Sequence, residues 1–178
     1  MSTGPVHVEP ETAALVEFLD AQRDSVLAIV AGLDADALGA RVLPSGWTPL
    51  GLVEHLGHAE RHWFGEVATG SAPELPWPQD TGLDDGSDDG DGQPFTTDRS
   101  AAEVFAFYRD QCARSNALLV ATPLSTPPLG QHLWQGVPDD VPDLRWIALH
   151  VLEETARHAG HLDVVRELLD GRTGLGPR

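Results

Sequence analysis

The stretch "HVLEETARHAGHLDVVRELLDG", residues 150–171, constrains the fold more than any other part of the chain. An α-helix advances about 100° per residue. With His150 set at zero, Glu154 falls near about 40°, His158 near about 80° and His161 near about 20°. Ile147, Val151, Leu162, Val165 and Leu169 fall at about 60° to 120° on the same wheel. The apolar stripe must be buried against other elements, and the polar stripe shares its face. Arg145, Glu153, Asp163 and Glu167 point elsewhere and form the solvated side. A carboxylate among apolar groups is costly unless it is paired or bound to a cation. The helix therefore predicts a core that contains chemistry.

Three further segments read as amphipathic helices, over about 11–31, 49–68 and 99–121, and the helix just described runs over about 142–170. Leu15, Phe18, Leu19, Val26, Ile29 and Val30 recur at helical spacing in the first, which Gly32 ends. Thr48 caps the second and Pro49 fits its first position. Asp98 or Thr97 is the expected cap of the third. Pro142 marks the start of the last and Gly171 its end. No alternating strand pattern and no repeat appears. The expected fold is all-α, a four-helix bundle in one domain over 1–178 with long irregular connections.

Composition bounds the function. The 178 residues suffice for one core, and a formal net charge of −17 argues against nucleic acid and against an anionic membrane. No run approaches the length of a membrane span, and the N-terminus lacks the basic region and apolar run of a signal peptide. A cytoplasmic protein is expected. Cys112 is the single cysteine, so no intrachain disulfide forms and any metal site must use His and carboxylates. An acidic loop is expected over about 70–97, with six Asp between positions 80 and 91. It does not keep the register of a calcium-binding EF-hand loop and reads as solvated. The Pro-rich connection 122–141 is irregular, with His132 and Trp134 able to fold back over the bundle.

One helix cannot surround an ion, so further ligands must come from a facing helix. The second helix carries "VEHLGHAERHW". His55 lies on the edge of its apolar face, His62 lies close to the same line, and His58 points further toward solvent. His55 with Glu154 and His158 would make a two-His, one-carboxylate set with open positions, as zinc or non-haem iron sites have. The competing reading is a satisfied core histidine beside a common Glu-x-x-x-His pair.

"GWTPLGLVEHLGHAERHWF" and "LRWIALHVLEETARHAGHLDVVRELLDG" strongly resemble the DinB-like superfamily, in its actinobacterial branch related to mycothiol-dependent maleylpyruvate isomerase and mycothiol S-transferases. The resemblance extends to "FYRDQCARSNALL" and more loosely to the first helix. It implies a four-helix bundle holding a divalent metal, zinc first, with nickel or iron as alternatives. It implies His55, Glu154 and His158 as ligands. Many members carry Arg-Gly-Gln after the second His of the pair; here Ala159, Gly160 and His161 follow His158. His161 thus takes the Gln position, where the resemblance implies a group behind the ligands or on the substrate side rather than a ligand.

The resemblance also implies a low-molecular-weight thiol such as mycothiol as co-substrate and an electrophilic small molecule as its partner. His161, His150 or His58 would move protons, and Arg157 or Arg145 would orient an anionic substrate. Arg157 has the alternative of pairing with Glu153 or Glu154. Two other functions fit the same residues: a non-catalytic metal-binding or stress-associated bundle, and a metal-assisted hydrolase. Exposed apolar helix faces are compatible with a homodimer.

Overall fold

Thr48 and Pro49 start a helix for plain chemical reasons. The Thr48 hydroxyl accepts from Gly51 N at 3.1 Å, and Pro49 occupies a position whose N–H needs no partner. A computed structural model describes residues 8–76, 95–131 and 141–174. Among them the chain forms α1 (Pro10–Val30), α2 (Ala35–Leu38), α3 (Pro49–Glu60), α4 (Ala101–Ala121) and α5 (Leu144–Asp170), with a π-helical segment, Arg61–Val67, continuing α3. No strand occurs among the described residues, and no helix there is long and apolar enough to cross a membrane. The expected all-α bundle is the fold observed. Most of the acidic stretch, 77–94, lies outside the described residues, as do His132 and Trp134.

Three boundaries differ from expectation. The third long helix starts at Ala101, capped by Ser100 rather than by Thr97 or Asp98. Ser100 and Glu103 form a reciprocal capping box, which satisfies donors at both ends of the first turn. The last long helix starts at Leu144, because the Asp143 carboxylate accepts from Trp146 N at 2.9 Å. The second expected helix is not uniform, since its last turns are wound as the π segment. The short α2, capped by Asp34, was not anticipated.

Side-chain contacts fix the topology. Arg145 reaches Glu11 near the start of α1, and Arg166 donates to Ile29 O and Ala31 O at its end. Helices α1 and α5 therefore run parallel. Gly51 lies against the backbone of Phe95 and Thr96 just before α4, and Gly57 lies against Phe107 and Tyr108 further along it. Helices α3 and α4 are parallel too. His55 meets Glu154 while the later Trp63 meets the earlier His150, so α3 and α5 are antiparallel. Parallel neighbours joined in sequence need a long crossover, which accounts for the length of the connection from α3 to α4.

The apolar core divides in two. One cluster gathers Leu19, Trp63, Phe64, Val67, Leu119, Ile147 and Val151. The other gathers Val26, Ile29, Leu52, Val53, Leu56, Val104, Tyr108 and Leu162. On each long helix the residues between the clusters are polar and largely buried: Arg23 on α1, Glu60 on α3, Gln111 and Ser115 on α4, and Thr155 on α5. Glu154 and His158 occupy the same level of α5. A polar layer thus crosses the bundle at mid-height.

Candidate metal centre

The antiparallel packing of α3 on α5 brings three predicted residues together. His55 Nε2 lies 3.1 Å from Glu154 Oε1, and His158 Nε2 lies 3.8 Å from the same oxygen. One donor atom from each of His55, Glu154 and His158 lies within 4.8 Å of the other two. His150 Nε2 stands 3.5 Å from the second oxygen, Glu154 Oε2. Burial pushes the Glu154 carboxyl up, but hydrogen bonding to His150 and His55 outweighs it and holds the group well below the usual carboxylate range. His158 is pushed down to about 4 by burial and by the charge of His55, with His161 and Arg157 adding to the effect. Two neutral imidazoles and one carboxylate are the donors a divalent cation of borderline softness takes, and this set fits one.

The remaining predicted residues fall outside this trio. His161 Nδ1 lies 3.3 Å from His158 Nδ1, on the exposed side, with the Trp47 ring 6.4 Å away. His62 pairs with Glu66, Nδ1 to Oε2 at 2.7 Å. Arg157 forms an ion pair with Glu153 on the outer face of α5. Arg145 binds Glu11 and Asp143.

His58 corrects the sequence reading. It was expected toward solvent, yet it is 8% exposed. Helix α4 covers this side of α3, and the His58 ring packs on Phe107 at 4.8 Å. It lies beside Glu54, whose Oε1 is 3.3 Å from Arg99 Nε. Burial, then the charges of Arg61, His55 and Arg99, push His58 down to about 4, against a weaker opposite pull from Glu66.

The unfolded chain takes up a proton near the ordinary value of 6.5, and the folded chain only near about 4. Stability from this residue is complete above the unfolded value and is lost as pH falls through that window. The wild-type chain, free of metal, should lose about 2 kcal/mol more than His58→Gln between pH 7 and pH 5. Urea midpoints at the two pH values check this, and equal losses in both proteins would contradict it.

Sequence reasoning missed several residues around the centre. Phe95 stacks on His55, with ring centroids 3.9 Å apart and planes 17° from parallel. It is held there by a close backbone approach: a Cβ on Gly51 would come within 2.2 Å of Phe95 O. The glycine is the available signal, but nothing in the sequence says what crosses it. Trp146 and Trp63 flank His150. Their helical spacing to His150 and His55 was legible, but their aromatic partners were not.

No protein thiolate is available. Burial and the Glu60 carboxylate push the Cys112 thiol far up, so it stays protonated and unreactive near neutral pH. Any thiolate acting at this centre near neutral pH would have to come from a bound small molecule. The comparisons agree with that inference. No curated protein matches the chain. The mycothiol-S-transferase family, however, matches residues 14–171, which takes in α3, α4 and α5 whole, all but the first turn of α1, and every residue of the centre. The bundle, the His-Glu-His cluster and the sequence match converge on one assignment: the chain belongs to the mycothiol-S-transferase family.

Proposed function

We propose that the chain is a single-domain, metal-dependent S-transferase that joins the thiol of mycothiol, or a similar small thiol, to an electrophilic carbon. The observation that carries this reading is the convergence of His55, Glu154 and His158 donor atoms within 4.8 Å, in a chain of this family. These three residues would hold a divalent cation, zinc first, with nickel or iron as alternatives. A cation in such a site lowers the pKa of a thiol and so supplies a nucleophile at neutral pH.

The chain's own residues do the rest. His158, held down by burial, keeps a lone pair to present near neutral pH, His55 faces the same Glu154 oxygen, and Glu154 stays ionised and supplies the negative charge. Phe95 covers one face of His55 and limits access of water from that side. His161, on the exposed edge beside His158, would accept the thiol proton and return it to the product. The sulfur would add to the electrophilic carbon of an unsaturated substrate: the carbon–sulfur bond forms as the π bond breaks, and its electron pair takes up the proton that left the thiol. Addition alone gives an S-conjugate, and addition followed by elimination gives isomerisation. Arg157, from the rim of α5, would attract an anionic substrate. A cytoplasmic setting, where small thiols are kept reduced, suits this chemistry. Phe18, Leu149 and Leu168 are exposed on α1 and α5 and would serve a homodimer, an expectation that a monomeric sedimentation mass would end.

Purified protein should hold close to one divalent cation per chain, and His158→Ala should hold little. Supplied with mycothiol and a panel of electrophiles, the loaded protein should consume thiol. Absence of stoichiometric metal, or an unchanged metal content in His158→Ala, would defeat the metal centre. Metal without thiol consumption would defeat the transferase reading, and turnover without any thiol would point to hydrolysis instead.

A further inference from the structure

We propose that His150 is a positioning residue that decides which oxygen of Glu154 faces the donor cluster. The inference rests on the metal-centre reading above. Glu154 ends in a torsion with a broad, roughly two-fold preference, so the side chain alone does not choose between its oxygens. Side chains of a helix lean toward its N-terminus, which brings Glu154 toward His150 one turn earlier and His158 toward Glu154. The two oxygens are in fact used differently. Oε1 faces His55 Nε2 at 3.1 Å and His158 Nε2 at 3.8 Å, while Oε2 faces His150 Nε2 at 3.5 Å.

The His150 ring is itself fixed. It stacks on Trp146, with planes 5° apart and centroids at 5.1 Å. Trp63 packs against it from the π segment, at 4.4 Å and 59°. The two indoles also meet each other at 5.7 Å, and Trp63 is buried. Three rings thus form a brace whose polar edge is one imidazole nitrogen directed at Oε2. With its proton on Nε2, His150 would draw Oε2 toward itself across the 3.5 Å gap, out of the cluster, and leave Oε1 aimed into it. Partners of this kind raise metal affinity by orienting a ligand they do not replace.

Two variants separate the donor from the ring. His150→Phe keeps an aromatic ring on Trp146 and loses the donor. His150→Gln loses the ring and places an amide N–H near the position of Nε2. Zinc affinity is read by competition with a chelator, and the ligand field by the absorption spectrum of the cobalt-substituted protein. His150→Phe should bind zinc about 10–100-fold more weakly than wild type and shift the cobalt bands. His150→Gln should recover most of the affinity and a spectrum close to wild type. A His150→Phe protein with wild-type affinity and spectrum overturns the inference, as does a folded His150→Gln protein as weak as a donor-free one. Failure of the wild type to bind zinc or cobalt removes the metal-centre reading itself, which is a different result.

Discussion

Replacing Glu60 by alanine should lower the free energy of unfolding by about 3–5 kcal/mol. The residue is 1% exposed and its partner Arg23 is 3% exposed. Glu60 accepts two hydrogen bonds from the Arg23 guanidinium, from Nε to Oε1 and from Nη2 to Oε2, each at 2.8 Å. Burial works against the Arg23 charge, and the Glu60 carboxylate more than offsets it. Asp20 and Asn116 take the remaining Nη1 donor at 2.9 Å and 2.7 Å. Neither replaces a buried bidentate carboxylate, so Glu60→Ala leaves the buried cation with only the half-exposed Asp20 carboxylate to offset it. The double variant Arg23→Met with Glu60→Leu should recover most of the loss, because it removes both charges. Urea denaturation of the single and double variants checks this. A Glu60→Ala protein within about 1 kcal/mol of wild type would show that the pair is dispensable.

Glu154→Ala should reduce metal affinity by at least about a hundredfold and abolish thiol transfer, since it removes the only anionic donor of the proposed centre. Its effect on the metal-free fold should be far smaller. Glu154 is partly accessible, and its loss leaves three imidazoles that water can reach. A cost of about 1–2 kcal/mol is expected for the lost hydrogen bonds. The diagnostic is the contrast between metal content, measured by elemental analysis, and the metal-free melting curve. Unchanged zinc in a folded Glu154→Ala protein would show that the ion, if present, is bound elsewhere. A collapse of the fold with metal absent would instead give Glu154 a structural role.

Local chemistry made much of this legible in the sequence. Thr48 with Pro49, Gly171 and the apolar periodicities define four long helices, because capping and amphipathicity act within a few residues. The stripe of His150, Glu154 and His158 was visible for the same reason, and the face of His55 pointed across to it. What was not legible depends on the neighbours. His58 looks solvated on a helical wheel until α4 is laid over it. Arg23 and Glu60 lie 37 positions apart, and neither position alone marks a buried pair. The π segment carries no sequence mark of its own, since it is ordinary helix-compatible sequence wound differently. The Ser100–Glu103 capping box has a sequence signature, but Asp98 and Thr97 are equally good caps in isolation, so local chemistry alone does not choose among them.

The polar layer has a consequence for how the bundle chooses its alignment. Apolar side chains interdigitate nearly as well after one helix slides by a turn past another, so two oily clusters alone leave the register poorly defined. Arg23 with Glu60 couples α1 to α3, and His55 with Glu154 couples α3 to α5 little more than a turn away along α3. A slip of about 5.4 Å along α3 would separate both couples at once and strand their charges. The vernier that sets the helices against one another is therefore the same row of side chains that gathers the donor atoms. A chain that has settled into its correct alignment has, by that act, already built the centre.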